Sequence, residues 1–199
     1  MHIFITGGVG TGKTTLLERL VRFAGGTRYG FVTERVAGKP NNSVYIHPYG
    51  AENREYSDKN RVGFARVGWF ETNEEVFENR AKELLGRIPP GSLAVMDELG
   101  YMESRAPGFC RIIQDFLDGP YTVIGVIKPK DTEFLNAVRA HPNVCILKLS
   151  EDDREGAFRK GAALLKDFIK ERVPDCVNIR RAELVISGEI TTDGADIKF

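Results

Sequence analysis

Short continuous runs of apolar residues recur along the chain, and most are separated by segments whose apolar positions return every three or four residues. Runs that are apolar on both faces are typical of strands buried in a parallel sheet with helices on either side. We therefore expect a mainly parallel sheet built from HIFIT (2–6), YGFVT (29–33), SLAVM (92–96), YTVIGVI (121–127) and VCILKL (144–149).

Four of the intervening segments have the spacing of amphipathic helices. The first is expected to end at Gly25. The second follows Thr72 and Glu75, which form the pattern of a capping box. The third has Pro107 in its first turn, and Ser150 is expected to cap the fourth. Strands alternating with helices predict right-handed βαβ units and a three-layer α/β fold.

Two segments depart from this alternation. Residues 40–70 are polar with short strand-like pieces, and we interpret them as an antiparallel flap or sheet edge. Residues 174–199 contain ELVISGEI, a TTDG turn and ADIKF, which predict a C-terminal hairpin. Because the chain has no internal repeat and no convincing linker, we expect one domain over residues 1–172, with residues 173–199 as an extension packed on it.

The residues after the first apolar run match the phosphate-loop (P-loop) pattern G-x-x-x-x-G-K-[ST] at every fixed position. Glycines allow the loop to curl so that backbone N–H groups point at phosphate oxygens, and the following helix directs its positive end at the same anion. Lys13 can reach the β- and γ-phosphates and assist catalysis, and the Thr14 hydroxyl can bind magnesium. We predict that a nucleoside triphosphate is bound by Gly7, Gly8, Val9, Gly10, Thr11, Gly12, Lys13, Thr14 and Thr15.

An acidic pair follows the third apolar run. A phosphate-loop protein needs a carboxylate at the end of a neighbouring strand for its magnesium ion, and Asp97 is placed for that role. Glu98 is the natural group to orient or deprotonate a water molecule for attack on the γ-phosphate. The alternative interpretation is an exposed acidic turn after a core strand.

At this point the sequence resembles a small nucleoside-triphosphatase family described from thermophiles, whose human relative is called cancer-related nucleoside triphosphatase. Four segments carry the resemblance: ITGGVGTGKTTL (5–16), GFVTERV (30–36), RVGWF (66–70) and VMDELGYME (95–103). The first segment is common to phosphate-loop proteins, whereas the pairing of GFVTE with DELG-x-ME is more diagnostic.

The resemblance implies a magnesium-dependent enzyme that hydrolyses several nucleoside triphosphates. It also implies that Glu98 is the catalytic carboxylate and that Thr33 and Glu34 face the nucleotide cleft.

Other residues are candidates for supporting roles. Glu34 ends the second strand and assists the metal site, holds a second substrate or is simply an exposed acid. Transition-state charge usually requires a cation beyond the loop lysine, and the candidates are Arg66, Arg105 and Arg154. Arg154 is also a candidate to stack on the nucleobase.

The sequence does not indicate which nucleobase the protein prefers. Trp69 and Phe70 either stack on the base or, more commonly for aromatic residues, pack in the core or at an edge. The guanine-binding pattern N-K-x-D is absent, because IKPKD (127–131) has the wrong spacing.

Composition narrows the location and partners of the protein. The chain has 28 basic and 28 acidic residues, so no global charge favours nucleic acid or anionic membranes. Its three cysteines are widely spaced and no long apolar segment is present, so we expect a cytoplasmic protein with reduced thiols, no disulfides and no membrane span. We read no signal peptide at its start.

Two alternatives to hydrolysis remain open from the sequence. A kinase would transfer the γ-phosphoryl group to an acceptor bound by residues 40–70, but the sequence has no dense basic lid. A nucleotide-gated switch would couple hydrolysis to the binding of a protein partner.

Overall fold

The computed structural model describes residues 1–25, 29–38, 42–66 and 69–172. The predicted hairpin and the extension 173–199 lie outside the described residues. The described strands are β1 (His2–Thr6), β2 (Tyr29–Val36), β3 (Ser43–Pro48), β4 (Arg61–Arg66), β5 (Trp69–Thr72), β6 (Leu93–Leu99), β7 (Thr122–Ile127) and β8 (Val144–Lys148). The described helices are α1 (Lys13–Ala24), α2 (Glu74–Leu85), α3 (Pro107–Asp118), α4 (Glu133–Ala140) and α5 (Arg154–Arg172).

Within the described residues, all eight strands form one sheet in the order β5-β4-β3-β2-β6-β7-β1-β8. Neighbouring strands from β2 through β8 in this order are parallel, and β3, β4 and β5 extend the β2 edge as antiparallel strands. The predictions of a mainly parallel sheet and of an antiparallel edge over about 40–70 are therefore confirmed.

Helices cover both faces of the sheet, which completes the predicted three layers. On one face, α1 and α5 pack over inward residues such as Ile5, Val95 and Val126. On the other face, α2, α3 and α4 pack over residues such as Phe31 and Met96. We call the first of these the α1 face and the second the α3 face.

Two of the predicted helix caps are wrong. Asn73, not Thr72, precedes α2, and its side-chain oxygen accepts a hydrogen bond from the Val76 amide at 3.2 Å. Thr72 is instead the last residue of β5. The last helix begins at Arg154, four residues beyond Ser150, because Leu149 still bonds to the end of β1 through the Thr6 carbonyl.

The helix α4 is absent from the sequence prediction. It has only eight residues, and a pattern of that length shows barely two turns of periodicity. Its start does carry a local signal, because the Thr132 side chain accepts a hydrogen bond from the Leu135 amide at 3.2 Å. By contrast, Pro107 lies in the first turn of α3 as predicted.

Candidate active site

The phosphate loop connects the carboxyl end of β1 to the amino end of α1. Gly10 and Gly12 have φ angles of 80° and 95°, in the left-handed region that favours glycine. A β-carbon at Gly7 would lie 2.6 Å from the Leu149 carbonyl oxygen, which is too close for any side chain. Because Gly12 precedes α1 and has no side chain, it cannot cap the first amides of that helix, and these remain directed at an external acceptor.

The side chains of the loop differ in exposure and contacts. The Lys13 ammonium lies over the loop and donates to the carbonyl oxygens of Gly8 at 2.6 Å and Gly7 at 3.1 Å. Thr11 is buried, and its hydroxyl donates to the Gly8 carbonyl at 3.0 Å, which braces the turn. Thr14 and Thr15 are exposed in the first turn of α1. The loop therefore presents one cation and two hydroxyl groups at the end of the sheet.

Asp97 lies in register with the strand that leads into the phosphate loop. Ile5 pairs with Val126 of β7, and Val126 pairs with Asp97 of β6. Two strand spacings, about 10 Å, thus separate the backbone of Asp97 from that of Ile5, two residues before Gly7. Alternation along β6 places Asp97 on the α1 face, because Val95 packs there and Met96 packs on the opposite face.

The electrostatics of Asp97 indicate a site with excess negative charge. Burial, together with the charges of Glu98 and Glu18, raises the pKa of the Asp97 carboxyl to about 6. The cationic side chains of Lys13 and Arg54 act in the opposite direction. A buried carboxylate among other acids favours a cation as its partner.

Glu98 is held through both its backbone and its side chain. Its carboxylate is 2.6 Å from the ammonium of Lys128, the residue that follows β7. Burial acts to lower the pKa of Lys128, but the hydrogen bond to Glu98 and the negative charges of Glu98 and Glu103 together outweigh burial and keep this pKa above its ordinary value. The Thr33 hydroxyl lies 3.1 Å from both the amide and the carbonyl oxygen of Glu98. Thr33 thus fastens the end of β6 to β2.

A buried acid supports the turn after this pair. Glu103 is fully buried, and its carboxylate accepts a hydrogen bond from the Gly100 amide at 2.9 Å. Burial raises the pKa of Glu103 to about 7, whereas Lys128 opposes that rise. We assign Glu103 to shaping the turn that carries Glu98 and Lys128, because its contact is with the backbone.

The donor set at this edge fits a magnesium ion. In the described part of the chain, no group of three or more histidine, cysteine or acidic residues could hold a metal ion unaided. Magnesium usually takes only one or two protein ligands and completes its shell with phosphate oxygens and water. The desolvated carboxylate of Asp97 and the exposed hydroxyl of Thr14 match that requirement.

The candidate arginines lie in different places. Arg154 is exposed beside the phosphate loop, since a β-carbon at Gly12 would lie 3.8 Å from its Nε. The guanidinium of Arg105 lies 5.3 Å from the ring centroid of Phe70. Arg66 belongs to β4, and its side chain is not among the described parts. The structure brings Arg154 to the loop, while Arg105 stacks on an aromatic ring elsewhere.

The aromatic residues proposed to stack on the base are far from the loop. Trp69 and Phe70 belong to β5, which is separated from β1 by five intervening strands. Phe70 packs against Tyr101, with ring centroids 4.6 Å apart. The structure therefore supports the reading of these residues as edge and core aromatics.

Two residues at this edge were missed from the sequence. Lys128 directly follows β7, so the tendency of ligand-binding groups to follow parallel strands was a usable signal. Arg54 lies in the polar segment between β3 and β4, where it bonds to Glu34 at 2.7 Å. Its segment has no motif or periodicity from which its position could have been inferred.

Comparison with known proteins adds a family to this geometry. A family model described as NTPase matches residues 2–160. The chain belongs to this NTPase family. The resemblance seen in the sequence is thereby confirmed, and the phosphate loop and the acidic pair both fall within the matched region.

Individual relatives agree with the family. The chain is 28% identical over 173 residues to the nucleoside-triphosphatase THEP1 of Thermotoga petrophila, covering 83% of this chain and 93% of the relative. It is 27% identical over 175 residues to the cancer-related nucleoside-triphosphatase homolog of Mus musculus, covering 77% of this chain and 90% of the relative. Nearly the whole length of each relative is therefore represented here.

Solved structures confirm the fold. The crystal structure of THEP1 from the hyperthermophile Aquifex aeolicus has a TM-score of 0.65 and 26% identity, covering 83% of this chain and 99% of that one. The solution structure of a human cancer-related nucleoside triphosphatase has a TM-score of 0.59 and 22% identity, covering 83% and 97% of the two chains. At that identity the second similarity concerns the fold alone.

Proposed function

We propose that this protein hydrolyses nucleoside triphosphates (ATP, GTP and others) to the diphosphate and inorganic phosphate, with magnesium as its cofactor. The proposal depends on one observation, which is that Ile5, Val126 and Asp97 form a row across three strands. That row brings the phosphate loop and the acidic pair to the same edge of the sheet. The relatives from Thermotoga petrophila and Mus musculus are named as nucleoside-triphosphatases, which supports the same reaction.

The phosphate loop is proposed to bind the polyphosphate. The amides of residues 7–15 supply hydrogen-bond donors whose directions are set by the backbone, and Lys13 supplies a positive charge. Arg154 lies on the β8 side of the loop, opposite the acidic pair. We therefore assign Arg154 to the nucleoside end of the ligand and Lys13 to its γ-phosphate end.

Thr14 and Asp97 are proposed to hold the magnesium ion. When bound, the ion neutralises charge on the β- and γ-phosphates. Asp97 contributes a carboxylate whose own pKa is raised by burial, so a nearby divalent cation stabilises its ionised form.

Glu98 is proposed to orient the attacking water and to accept its proton. The water oxygen forms a bond to the γ-phosphorus as the bond from that phosphorus to the β,γ-bridging oxygen breaks, and the diphosphate leaves. Lys128 and Thr33 position Glu98 through the contacts described above.

A cytoplasmic location is part of the same proposal. Within the described residues, Cys110 and Cys145 are free thiols, and free thiols are common in a reducing compartment. Among the described helices, none is both long and apolar enough to cross a membrane.

The test is phosphate release from a panel of ATP, GTP, CTP and UTP, with magnesium or with a chelator. We expect release from several triphosphates with magnesium and without any added acceptor. Glu98→Gln is the matched variant, because it keeps the shape of the side chain and removes its basicity. It should retain binding of a non-hydrolysable triphosphate and lose about 10²-fold in kcat.

Two results would contradict the proposal. Turnover of Glu98→Gln at the wild-type rate would remove Glu98 from catalysis. Phosphate transfer that occurs only after a metabolite is added would favour a kinase over a hydrolase.

A further inference from the structure

The proposed reaction develops negative charge at the γ-phosphoryl group, and Lys13 is one cation positioned to meet it. Enzymes of this type commonly add an arginine at the same place. Arg154 is not suited to that task, because it lies on the β8 side of the loop while Asp97 and Glu98 lie on the β6 side. Lys128 lies on the side of the acidic pair, but its ammonium is bound to the Glu98 carboxylate at 2.6 Å, so a further cation on this side would be the one to meet the γ-phosphoryl group.

The strand pairing shows which residues share the α1 face with Asp97. Asp97 pairs with Val32 of β2, and Val32 pairs with His47 of β3. Phe31 and Ile46 pack on the α3 face, so Val32 and His47 point to the α1 face. By the same alternation, Glu34 lies on the α1 face as well. It is two residues closer to the carboxyl end of β2 than Val32, which pairs with Asp97 and His47.

Glu34 receives several donors from the β3 strand and the segment after it. Arg54 Nη1 donates to Glu34 Oε2 at 2.7 Å, and the Tyr56 hydroxyl donates to the same oxygen at 3.0 Å. His47 Nε2 lies 3.7 Å from that oxygen. The carboxylate of Glu34 thus holds the guanidinium on the face that carries Asp97.

The segment that carries Arg54 is fastened to the helix of the phosphate loop. The Tyr49 amide donates to the Gly30 carbonyl at 3.0 Å, and the Tyr49 hydroxyl donates to Glu18 of α1 at 2.8 Å. At the other end of the segment, the buried Asn60 side chain donates to the Glu55 carbonyl at 2.6 Å. Arg54 therefore lies on a segment that passes from the sheet edge to α1.

The electrostatics agree with this placement. Arg54 is one of the two cations whose charge lowers the raised pKa of Asp97, and Lys13 is the other. The effect of Arg54 on that pKa is smaller than that of Lys13, so the placement of Arg54 rests on the strand register and on its bond to Glu34. A guanidinium carries five N–H donors, and the contacts of Arg54 with Glu34 and Tyr56 use only part of them.

We propose that Arg54 is a catalytic residue that contacts the γ-phosphoryl group from the side opposite Arg154, while Glu34 holds its guanidinium in position. This inference rests on the proposed hydrolysis and adds an arginine supplied by the same chain. In this arrangement Lys13 and Arg54 bracket the group that is transferred to water.

The experiment compares Arg54→Ala and Arg54→Lys with the wild type. Arg54→Ala should lose about 10²- to 10³-fold in kcat, because it removes charge stabilisation in the transition state. Arg54→Lys should recover part of that loss, since it keeps the charge without the planar fork. Arg61→Ala is the matched control: Arg61 pairs with Asp58 in the adjoining strand region. It should stay within about twofold of the wild type.

Binding gives a second readout that does not depend on turnover. Affinities for a non-hydrolysable triphosphate and for the diphosphate are measured with magnesium by calorimetry. Wild type should prefer the triphosphate, and Arg54→Ala should lose that preference while its diphosphate affinity is unchanged. A variant with reduced affinity for both ligands would indicate a structural role and would overturn the proposal.

The two proposals can fail separately. If wild type releases no phosphate from any triphosphate, the proposed hydrolysis fails, and the binding preference still decides the assignment of Arg54. If wild type is active and Arg54→Ala keeps both wild-type kcat and the triphosphate preference, Arg54 has no contact with the γ-phosphoryl group.

Discussion

His2 and Asp97 are buried ionisable residues at opposite ends of the central sheet, His2 at the amino end of β1 and Asp97 at the carboxyl end of β6. Burial lowers the pKa of His2 to about 4, and its Nε2 lies 2.8 Å from the Leu117 carbonyl oxygen. His2 is therefore neutral at physiological pH and hydrogen-bonded to the backbone.

Asp97 is in the opposite situation. Burial, together with the negative charges of the nearby Glu98 and Glu18, raises the pKa of Asp97 to about 6. At neutral pH it is mostly ionised at a place where ionisation is unfavourable. The buried ionisable group at the amino end of the sheet is therefore neutral, whereas the one at the carboxyl end keeps an unfavourable charge that a bound cation can relieve.

The largest effect that we expect is at the carboxyl end. Lys13→Ala should reduce kcat/KM by about 10³-fold, or about 4 kcal/mol of transition-state stabilisation, because the β- and γ-phosphates lose their charged partner. Affinity for a non-hydrolysable triphosphate, measured by calorimetry, should also fall. Arg22→Ala, at the other end of α1, is the control and should leave both quantities near wild type. Unchanged affinity in Lys13→Ala would contradict the role assigned to the loop.

The next effect concerns the amino end. The folded-state pKa of His2, about 4, lies below the ordinary value of 6.5. Its contribution to stability is therefore complete above pH 6.5 and is lost as the pH falls toward 4, by about 3 kcal/mol in total.

Urea denaturation at pH 7.5 and pH 4.5 tests this expectation. In His2→Gln, the free energy of unfolding should change less between the two pH values than it does in wild type. Equal pH dependence in the two proteins would show that His2 does not titrate in this window.

Asp97→Asn should move stability in the opposite direction. Since the folded-state pKa of Asp97 lies above its ordinary value of 3.8, this group lowers stability as the pH rises from about 4 to about 6. Without added divalent cation, the variant should be more stable than wild type at pH 8 by about 3 kcal/mol, and the gain should shrink at pH 4. If Asp97→Asn is less stable than wild type at pH 8, the ionised Asp97 carboxylate does not destabilise the folded protein, and the proposed difference between Asp97 and His2 is wrong.

The smallest effect is expected at Lys128. Lys128→Met removes the cation that holds Glu98, so kcat should fall about tenfold with little change in KM. Lys130→Met, at an exposed lysine two residues later, is the matched control. In steady-state kinetics, Lys128→Met should have a lower kcat than Lys130→Met. Equal kcat values for the two variants would show that the Lys128–Glu98 ion pair does not contribute to the reaction.

Elements with local signals could be predicted from the amino-acid sequence. The phosphate loop is a contiguous pattern in which each residue type has its own physical reason, and the buried strands are visible as apolar runs. Asp97 and Glu98 could be predicted to lie at the carboxyl end of a buried strand because they directly follow such a run. The family followed from these same contiguous segments.

Long-range packing of the folded chain determines which distant residues come together at the site. Arg54 reaches the face of Asp97 because β3 pairs with β2 and the segment after it bonds to α1, and neither contact is written in the residues near Arg54. Lys128 meets Glu98 because β6 and β7 are neighbours in the sheet. Such contacts depend on the order and register of the strands, which are set by long-range packing. A local sequence pattern therefore predicts where a strand ends but not which residues of other strands lie next to that end.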